Sequence, residues 1–286
     1  MLDFKNIIRI AYLGPTASFT EMAKDEFCDK LGINAYPEPC QTIKQVIEFA
    51  SQNPNTLGVL PLDNSIQGTV RETLDNLLYS QNSNMKILSE CFIPANYCLL
   101  SKTTEVYSIY GIISPPDLLA KCSNFIKEEM PYNPTIIEAS SMPEAARELQ
   151  NHNLTYASIG NHKTAEIFNL NVLKENINDE PSITKFVLIG DFDTEETNND
   201  ATSIAFRTEN TPGALLKVLN IFMQNHINLS YIASHHSKTN FEEYVFVVEF
   251  DGHIKNPQVA KTLEEIKEFT TYIRIFGSYQ KNQFVL

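Results

Sequence analysis

The chain of 286 residues contains no tryptophan, only five cysteines and few basic residues. Lysine and arginine number 22 against 35 aspartate and glutamate, so the formal net charge is −13. Non-specific binding to nucleic acid or to an acidic membrane requires basic patches, which such a balance disfavours. We therefore expect no nucleic-acid partner and no membrane partner. Any anionic ligand must be met by a local site, because the overall field repels it.

The cysteines and histidines lack the spacing of disulfide frameworks and metal sites. The number of cysteines is odd, and no two of them form a Cys-x-x-Cys pair. Since neither a signal peptide nor a long apolar run is evident, we expect reduced thiols in the cytoplasm. The six histidines form neither a His-x-x-x-His nor a His-Glu-x-x-His pattern, so we expect no metal.

One domain boundary stands out. Residues 191–200 contain five acids and no base, which predicts a solvated linker, placed at residues 193–200. Before it, at residues 6–192, short apolar runs alternate with helical patterns and predict an α/β domain. After it, at residues 201–286, the predicted elements follow the order βαββαβ, a ferredoxin-like unit. The predicted strands are Ile7–Leu13, Leu57–Leu62, Ile109–Ile113, Thr135–Glu138, Thr202–Arg207, Ile227–Ser234, Tyr244–Phe250 and Tyr272–Gly277.

Four helix-start patterns follow apolar segments of the first domain. In an open α/β sheet such starts gather at the carboxyl ends of the strands, and each offers free N–H groups to an anion. Singly, each hydroxyl is explained as a helix cap worth about 1 kcal/mol; together they predict an anion-binding cleft. The patterns are Ser18 with Glu21, Thr69 with Glu72, Ser141 with Glu144, and Ser114 with Pro115 in the first helical position.

The segments around these helix starts resemble the prephenate dehydratase family. Their order and spacing hold from residue 12 to residue 186, which makes the combination specific although no single motif is. The matching segments are residues 12–15, 18–21, 58–65, 68–70, 114–122, 139–146 and 184–186.

The resemblance implies a catalytic domain of two lobes, like a periplasmic binding protein, with the substrate in the cleft between them. The implied reaction is the decarboxylating dehydration of prephenate to phenylpyruvate, which needs no cofactor. Thr184 is implied as the donor that helps the ring hydroxyl leave, while Phe186 is open to a second interpretation as plain core. Implied substrate-binding residues are Asn64, Ser65, Gly68, Ser114, Ser140, Ser141 and Phe186.

The C-terminal domain resembles an ACT domain, a small module that binds amino acids. The resemblance implies L-phenylalanine as effector and a homo-oligomer, either a dimer or a tetramer. Residues 233–236 replace a glutamate-serine-arginine-proline motif tied to the phenylalanine response, so we expect weaker inhibition than in relatives with the full motif. The implied effector contacts are Asn210, Gly213, Ala214, Leu215, Asn228 and Ser234.

Several positions depart from the family pattern and leave alternatives open. One is a related decarboxylase that consumes prephenate and keeps its hydroxyl, and another is a non-catalytic sensor of small anions; arogenate is an alternative substrate. Because little sequence precedes Ile7, we expect a single activity without a fused chorismate mutase. We also expect regulation to pass through oligomer contacts or lobe closure. The departures are Asp63, Gln67, Pro115, Asp117, Ser182, Lys185, Ala233, His235 and His236.

Overall fold

The computed structural model describes residues 4–79, 84–130, 132–236 and 244–282. Within these ranges the chain forms three sheets with helices packed on them. No helix in the described ranges is long and apolar enough to cross a membrane.

The first lobe is built on a six-stranded sheet of order β2-β1-β3-β11-β5, with the short β4 paired to β3. Strands β1, β2 and β3 run parallel, whereas β11 is antiparallel to both of its neighbours. Its elements are β1 (Arg9–Leu13), α1 (Phe19–Leu31), β2 (Tyr36–Cys40), α2 (Ile43–Gln52), β3 (Thr56–Asn64), β4 (Gly68–Thr69), α3 (Arg71–Tyr79), β5 (Lys86–Pro94) and β11 (Ile183–Gly190).

The second lobe is a five-stranded sheet of order β10-β6-β9-β7-β8. Strands β7, β8 and β9 are parallel, so their carboxyl ends share one edge. The chain enters this lobe after β5 and returns to the first lobe at β11, so two segments connect the lobes. Its elements are β6 (Cys98–Ser101), β7 (Gly111–Ser114), α4 (Pro116–Lys121), α5 (Ser123–Glu128), β8 (Thr135–Glu138), α6 (Met142–Leu149), β9 (Tyr156–Gly160), α7 (His162–Phe168) and β10 (Asn171–Lys174).

The C-terminal domain has the predicted βαββαβ order and an antiparallel sheet of order β13-β14-β12-β15. The two-lobed α/β fold and the ferredoxin-like unit expected from the sequence are therefore confirmed. Residues 237–243, between the two middle strands, lie outside the described residues. The elements are β12 (Asp200–Arg207), α8 (Ala214–Gln224), β13 (Leu229–His236), β14 (Tyr244–Asp251), α9 (Pro257–Lys267) and β15 (Tyr272–Gln280).

The C-terminal domain shares a hydrophobic core with the first lobe. Ala11 and Leu60 of the lobe and Val247 and Phe276 of the C-terminal domain are all buried in one cluster. The second lobe has two clusters of its own, and Phe19 of the first lobe, which is partly buried, packs against one of them. The first lobe and the C-terminal domain thus pack as one body.

The acidic segment at residues 193–200 is exposed over residues 195–199 but is not a free tether. Glu195 pairs with Lys255 at 2.7 Å, and the Thr194 hydroxyl donates to the carbonyl of Ser278. Asp200 is buried and begins β12. The segment is therefore held against the C-terminal domain.

Two of the four predicted helix caps are wrong. Thr69 pairs with Asp63 in the sheet and bonds the Tyr231 hydroxyl, so it lies ahead of α3 and does not cap it. Ser114 is the last residue of β7 and fully buried, since its backbone continues the pairing with β8. Pro115 is consequently the N-cap of α4 instead of its first residue.

The other two caps form, but with altered glutamate contacts. The hydroxyls of Ser18 and Ser141 accept bonds from backbone N–H groups three residues later, at 3.2 and 3.3 Å. The carboxylate of Glu21 accepts a hydrogen bond from the backbone N–H of Ala17 at 2.6 Å, and Ala17 is the residue before the cap Ser18. A complete capping box, which the sequence analysis missed, joins Thr42 and Gln45 at the start of α2.

Candidate active site

The candidate site lies where β3 ends and β11 begins, at the junction of the two lobes. Asn64 closes β3 and pairs with Thr184, the second residue of β11. The segment ahead of β11 returns from the second lobe, and the Ser182 carbonyl accepts a bond from the Ala95 N–H on the outgoing crossing at 2.7 Å. Thr184 is therefore placed by both connections between the lobes.

The Asn64 side chain organises this junction. Its oxygen accepts bonds from the backbone N–H groups of Ile66 and Gln67, at 3.0 and 2.9 Å. This fixes the amide orientation, so the nitrogen must point the other way. The nitrogen donates to the hydroxyls of Ser182 and Thr184, both at 2.9 Å. Because Thr184 accepts this bond, its own O–H proton remains available to a ligand.

Ser65 locks the two strands together beside this amide. Its N–H donates to the Ile183 carbonyl at 2.9 Å, and its hydroxyl accepts from the Ile183 N–H at 3.0 Å. The hydroxyl proton is not consumed by either bond and can face a carboxylate. Ser65 is exposed, and its role in substrate binding remains a prediction.

A cavity of about 370 Å³ opens beside Asn64 and Ser182. Lys121, at the end of α4, is the only lysine or arginine among the described residues that line it. Its ammonium is 3.8 Å from Asp117 and 6.0 Å from the centre of the Tyr97 ring, and its side chain is 38% exposed. Asp179 also lines the cavity, but its carboxylate accepts bonds from Ser123 and Asn124, both at 2.9 Å. Glu180 lines the cavity as well, so the described lining holds one cation and two carboxylates beside amide and hydroxyl groups.

The second lobe presents its predicted residues at one edge of its sheet. Ser114 ends β7, and Ser140 and Ser141 follow β8, which is parallel to β7. Ser114 is fully buried and donates to the carbonyl of Pro115 at 3.3 Å. Ser140 is exposed, and its hydroxyl donates to Glu144. These three serines do not line the 370 Å³ cavity, and neither do Thr184 and Ser65, although these two contact residues that line it or lie beside it.

Asn161 follows β9 at this same edge and joins the lobes. It is 1% exposed, and its amide donates to the carbonyl of Ala17 in the first lobe at 3.0 Å. Its oxygen accepts from the Thr164 N–H at 2.7 Å and caps α7. Sequence reasoning missed this residue, although an asparagine between the strand pattern ending at Gly160 and a helical pattern signals an N-cap.

Gly68 and Phe186 have different surroundings. Gly68 pairs with Asn64 across a tight turn with φ of 72°, a conformation that favours glycine, and it is exposed. Phe186 is 2% exposed among the apolar residues of the first lobe. Its position favours the interpretation as core, and its contact with substrate stays a prediction.

The ring of Tyr97 contributes to the cavity as a neutral group, because burial raises its pKa to about 12. Cys122, next to Lys121, is also buried, which raises the pKa of its thiol to about 12 and keeps it from acting as a nucleophile near neutral pH. In the described part of the chain, no group of three or more histidine, cysteine, aspartate or glutamate side chains could hold a metal ion.

The residues implied as effector contacts surround the start of α8 and the adjacent edge strand. Gly213 is the N-cap, with φ of 84°, and is exposed, while Ala214 is buried. Ser234 lies on β13, which is an edge strand within the described sheet. Asn228 precedes β13, and its carbonyl accepts from the Asp251 N–H at 3.0 Å. Asn210 and Leu215 lie on either side of Gly213, and binding of an effector by these residues stays a prediction.

The fold is that of a two-lobed α/β protein followed by a small ferredoxin-like domain. A model of the prephenate dehydratase family matches residues 10–194, and a model of the ACT domain matches residues 202–268. The chain belongs to the prephenate dehydratase family, whose activity is that of a lyase.

Named relatives extend over nearly the whole chain. It is 35% identical to a bifunctional chorismate mutase/prephenate dehydratase of Aquifex aeolicus, with 98% of this chain and 75% of the relative covered. It is 30% identical to a prephenate dehydratase of Methanocaldococcus jannaschii, with 94% and 97% covered. Among solved structures, prephenate dehydratase in complex with L-Phe from Arthrobacter aurescens matches with a TM-score of 0.83 and 28% identity, covering 98% of this chain and 93% of that one.

Proposed function

We propose that this chain converts prephenate to phenylpyruvate at the junction of its two lobes, with Thr184 assisting departure of the ring hydroxyl. The observation that carries the residue assignment is the bond from the fixed Asn64 amide to the Thr184 hydroxyl. That bond orients a neutral donor with its proton free, which is what a poor leaving group requires.

The chemistry needs binding and a positioned donor, and no nucleophile. The bond from the ring to its carboxylate breaks, carbon dioxide leaves, and the electron pair completes the aromatic ring as the bond to the hydroxyl breaks. The hydroxide takes up a proton and departs as water. A threonine hydroxyl is a weak acid, so Thr184 donates a hydrogen bond or relays a proton as negative charge develops on the leaving oxygen.

Prephenate carries two carboxylates, and a chain of charge −13 must attract them locally. Lys121 supplies the positive charge in the cavity beside Asn64, and Ser65 supplies a hydroxyl. Ser140 and Ser141, at the carboxyl edge of the second lobe's sheet, are proposed to bind the other carboxylate. Ser114 at the same edge is fully buried and would contact the substrate only if this edge rearranged.

Product analysis tests the proposed reaction. Incubation of the purified chain with prephenate is expected to release phenylpyruvate, identified by its absorbance in alkali and by mass. A hydroxylated dihydro product would instead identify a decarboxylase that keeps the hydroxyl, and unchanged prephenate would identify a binding protein. Parallel incubation with arogenate decides the preferred substrate, since arogenate differs only in the side chain that bears the amine.

Regulation by phenylalanine is part of the proposal, supported by the L-Phe complex of the related structure and by the ACT match. The start of α8 offers N–H groups to the effector carboxylate, and Gly213 permits its close approach. Isothermal titration with phenylalanine should show binding. Assays of phenylpyruvate formation with added phenylalanine should show weaker inhibition than in relatives with the full motif. Absence of binding at millimolar phenylalanine would remove the effector and leave the reaction untouched.

The proposal retains the domain boundaries at residues 6–192 and 201–286, a cytoplasmic location and a dimer or tetramer. Sedimentation of the full chain measures the oligomeric state. Exposed apolar residues on α8, among them Leu216 and Met223, support self-association.

A further inference from the structure

A buried ionic cluster joins the ACT domain to the strand that carries Thr184. Lys185, the next residue of β11, places its ammonium 2.7 Å from Glu90 of β5 and 2.6 Å from Glu249 of β14. Their side chains are only 4 to 13% exposed. Successive residues of a strand point to opposite faces, so β11 presents Thr184 to one face and Lys185 to the other.

Glu249 is fixed within the ACT domain on both of its oxygens. The oxygen that meets Lys185 also accepts bonds from the hydroxyls of Tyr279 and Ser203, at 2.5 and 3.3 Å. The other oxygen accepts from the Ser230 hydroxyl at 3.2 Å. The carboxylate therefore has little freedom to follow Lys185 if β11 shifts.

Electrostatics favour the ionised form of both partners despite their burial. Burial acts against charge on Lys185, but the carboxylates of Glu249 and Glu90 outweigh it and raise its pKa. Burial likewise opposes charge on Glu249, and Lys185 outweighs it and lowers that pKa. Because a buried ion pair often adds little net stability compared with an apolar pair, the value of this cluster lies in fixing geometry.

We propose that Glu249 is a positioning residue for the reaction: through Lys185 it sets the position of β11 and so aims the Thr184 hydroxyl. The inference rests on the proposed function, because it takes Thr184 as the donor. The ACT domain thereby contributes to turnover within a single chain, without an effector.

Kinetics of the full-length Glu249→Gln, Lys185→Met and combined variants test this. Each single change is expected to lower kcat by about tenfold or more, since a small misplacement of a donor has such effects, with KM changed by less than about twofold. Because Glu249 acts through Lys185, the combined variant should be no slower than Lys185→Met alone. Lys185→Arg, which keeps the charge, should retain more activity than Lys185→Met.

Arg274 provides the matched control. It lies at the same domain junction and donates to the Leu78 carbonyl at 3.0 Å, away from β11. Arg274→Gln should lower the melting temperature and leave kcat unchanged. If Glu249→Gln does not fold, Glu249→Asp shortens the side chain and breaks the 2.6 Å contact while keeping the charge.

Three results would overturn the proposal: parent-like kcat in the soluble Glu249 variants, an equal loss of kcat in Arg274→Gln, or additive losses in the combined variant. Failure of the proposed function is distinguishable from these results. If the reaction assignment fails, the parent chain forms no phenylpyruvate, and if only the role of Thr184 fails, Thr184→Ala keeps normal turnover. A slow Thr184→Ala beside fully active Glu249 variants would overturn the positioning role alone.

Discussion

The first lobe meets its two neighbours through junctions of opposite character. Its junction with the second lobe consists of two chain crossings, the bond from Asn64 to Ser182, the bond from Asn161 to the Ala17 carbonyl and the packing of the partly buried Phe19. Its junction with the ACT domain is a continuous apolar core with a buried ionic cluster. A polar junction can exchange its bonds for water when it opens, whereas an apolar core loses its stabilisation.

From this difference we expect motion between the two lobes and a rigid connection between the first lobe and the ACT domain. We expect the lobes to separate when substrate enters and product leaves, as two-lobed clefts do about a few connecting residues. Because the ACT domain shares a core with the first lobe, we expect the two to move together and an effector that alters the ACT sheet to act on β11. An effector coupling of this kind amounts to about 1–3 kcal/mol in typical allosteric proteins.

The largest expected effect comes from breaking the apolar junction. Phe276 of β15 is 1% exposed in the shared core, so Phe276→Ala should lower the free energy of unfolding by about 3–5 kcal/mol. Urea denaturation measures it. Tyr36, an aromatic that is 76% exposed, is the control, and Tyr36→Ala should change stability by less than about 0.5 kcal/mol. Similar small losses in both variants would contradict a shared core.

A smaller effect is expected from removing the positive charge of Lys121, which lines the cavity beside Asn64. Lys121→Gln should raise KM for prephenate about tenfold, because it removes a charge-assisted hydrogen bond to the substrate. The expected effect is reduced because the Lys121 side chain is partly exposed to solvent. The substitution should also weaken the dependence of KM on salt. Lys127, exposed on α5 and absent from the cavity lining, is the control, and Lys127→Gln should leave KM unchanged. Equal values of KM for both variants would remove Lys121 from the site.

The smallest effect is expected at the contact between the lobes. Asn161→Ser keeps an N-cap hydroxyl for α7 but loses the donor to the Ala17 carbonyl. One neutral hydrogen bond is worth about 1 kcal/mol, so KM should rise about fivefold through weaker lobe closure. Asn161→Ala loses the cap as well and should melt at a lower temperature than Asn161→Ser. Unchanged KM in both would show that this contact does not contribute to closure.

Periodic patterns predicted the elements well where one face is buried. The βαββαβ order came directly from such patterns, whereas the strand Thr135–Glu138 was predicted correctly although it is largely exposed. Strand β2 was missed because it contains two prolines, which are tolerated there since β2 lies at the sheet edge. The return of β11 to the first lobe could not be predicted, because nothing local in a strand specifies its partners.

The site was predictable as a set of motifs, but its geometry was not. The segments containing Asn64 and Thr184 were identified separately, and their contact spans 120 residues of chain. Lys121 gave no signal beyond a charge on a helix. Ser114 was taken for a cap because a following proline is typical of helix starts, yet sheet pairing with β8 buried it instead.

The most direct test of the account is the steady-state kinetics of Thr184→Ala beside Thr184→Ser. The account predicts that Thr184→Ala lowers kcat for phenylpyruvate formation by about 10²-fold or more, with a much smaller change in KM, because only charge developing on the leaving oxygen is affected. Thr184→Ser retains the hydroxyl and should recover most of the lost turnover. Near-normal turnover in a folded Thr184→Ala variant would contradict the account.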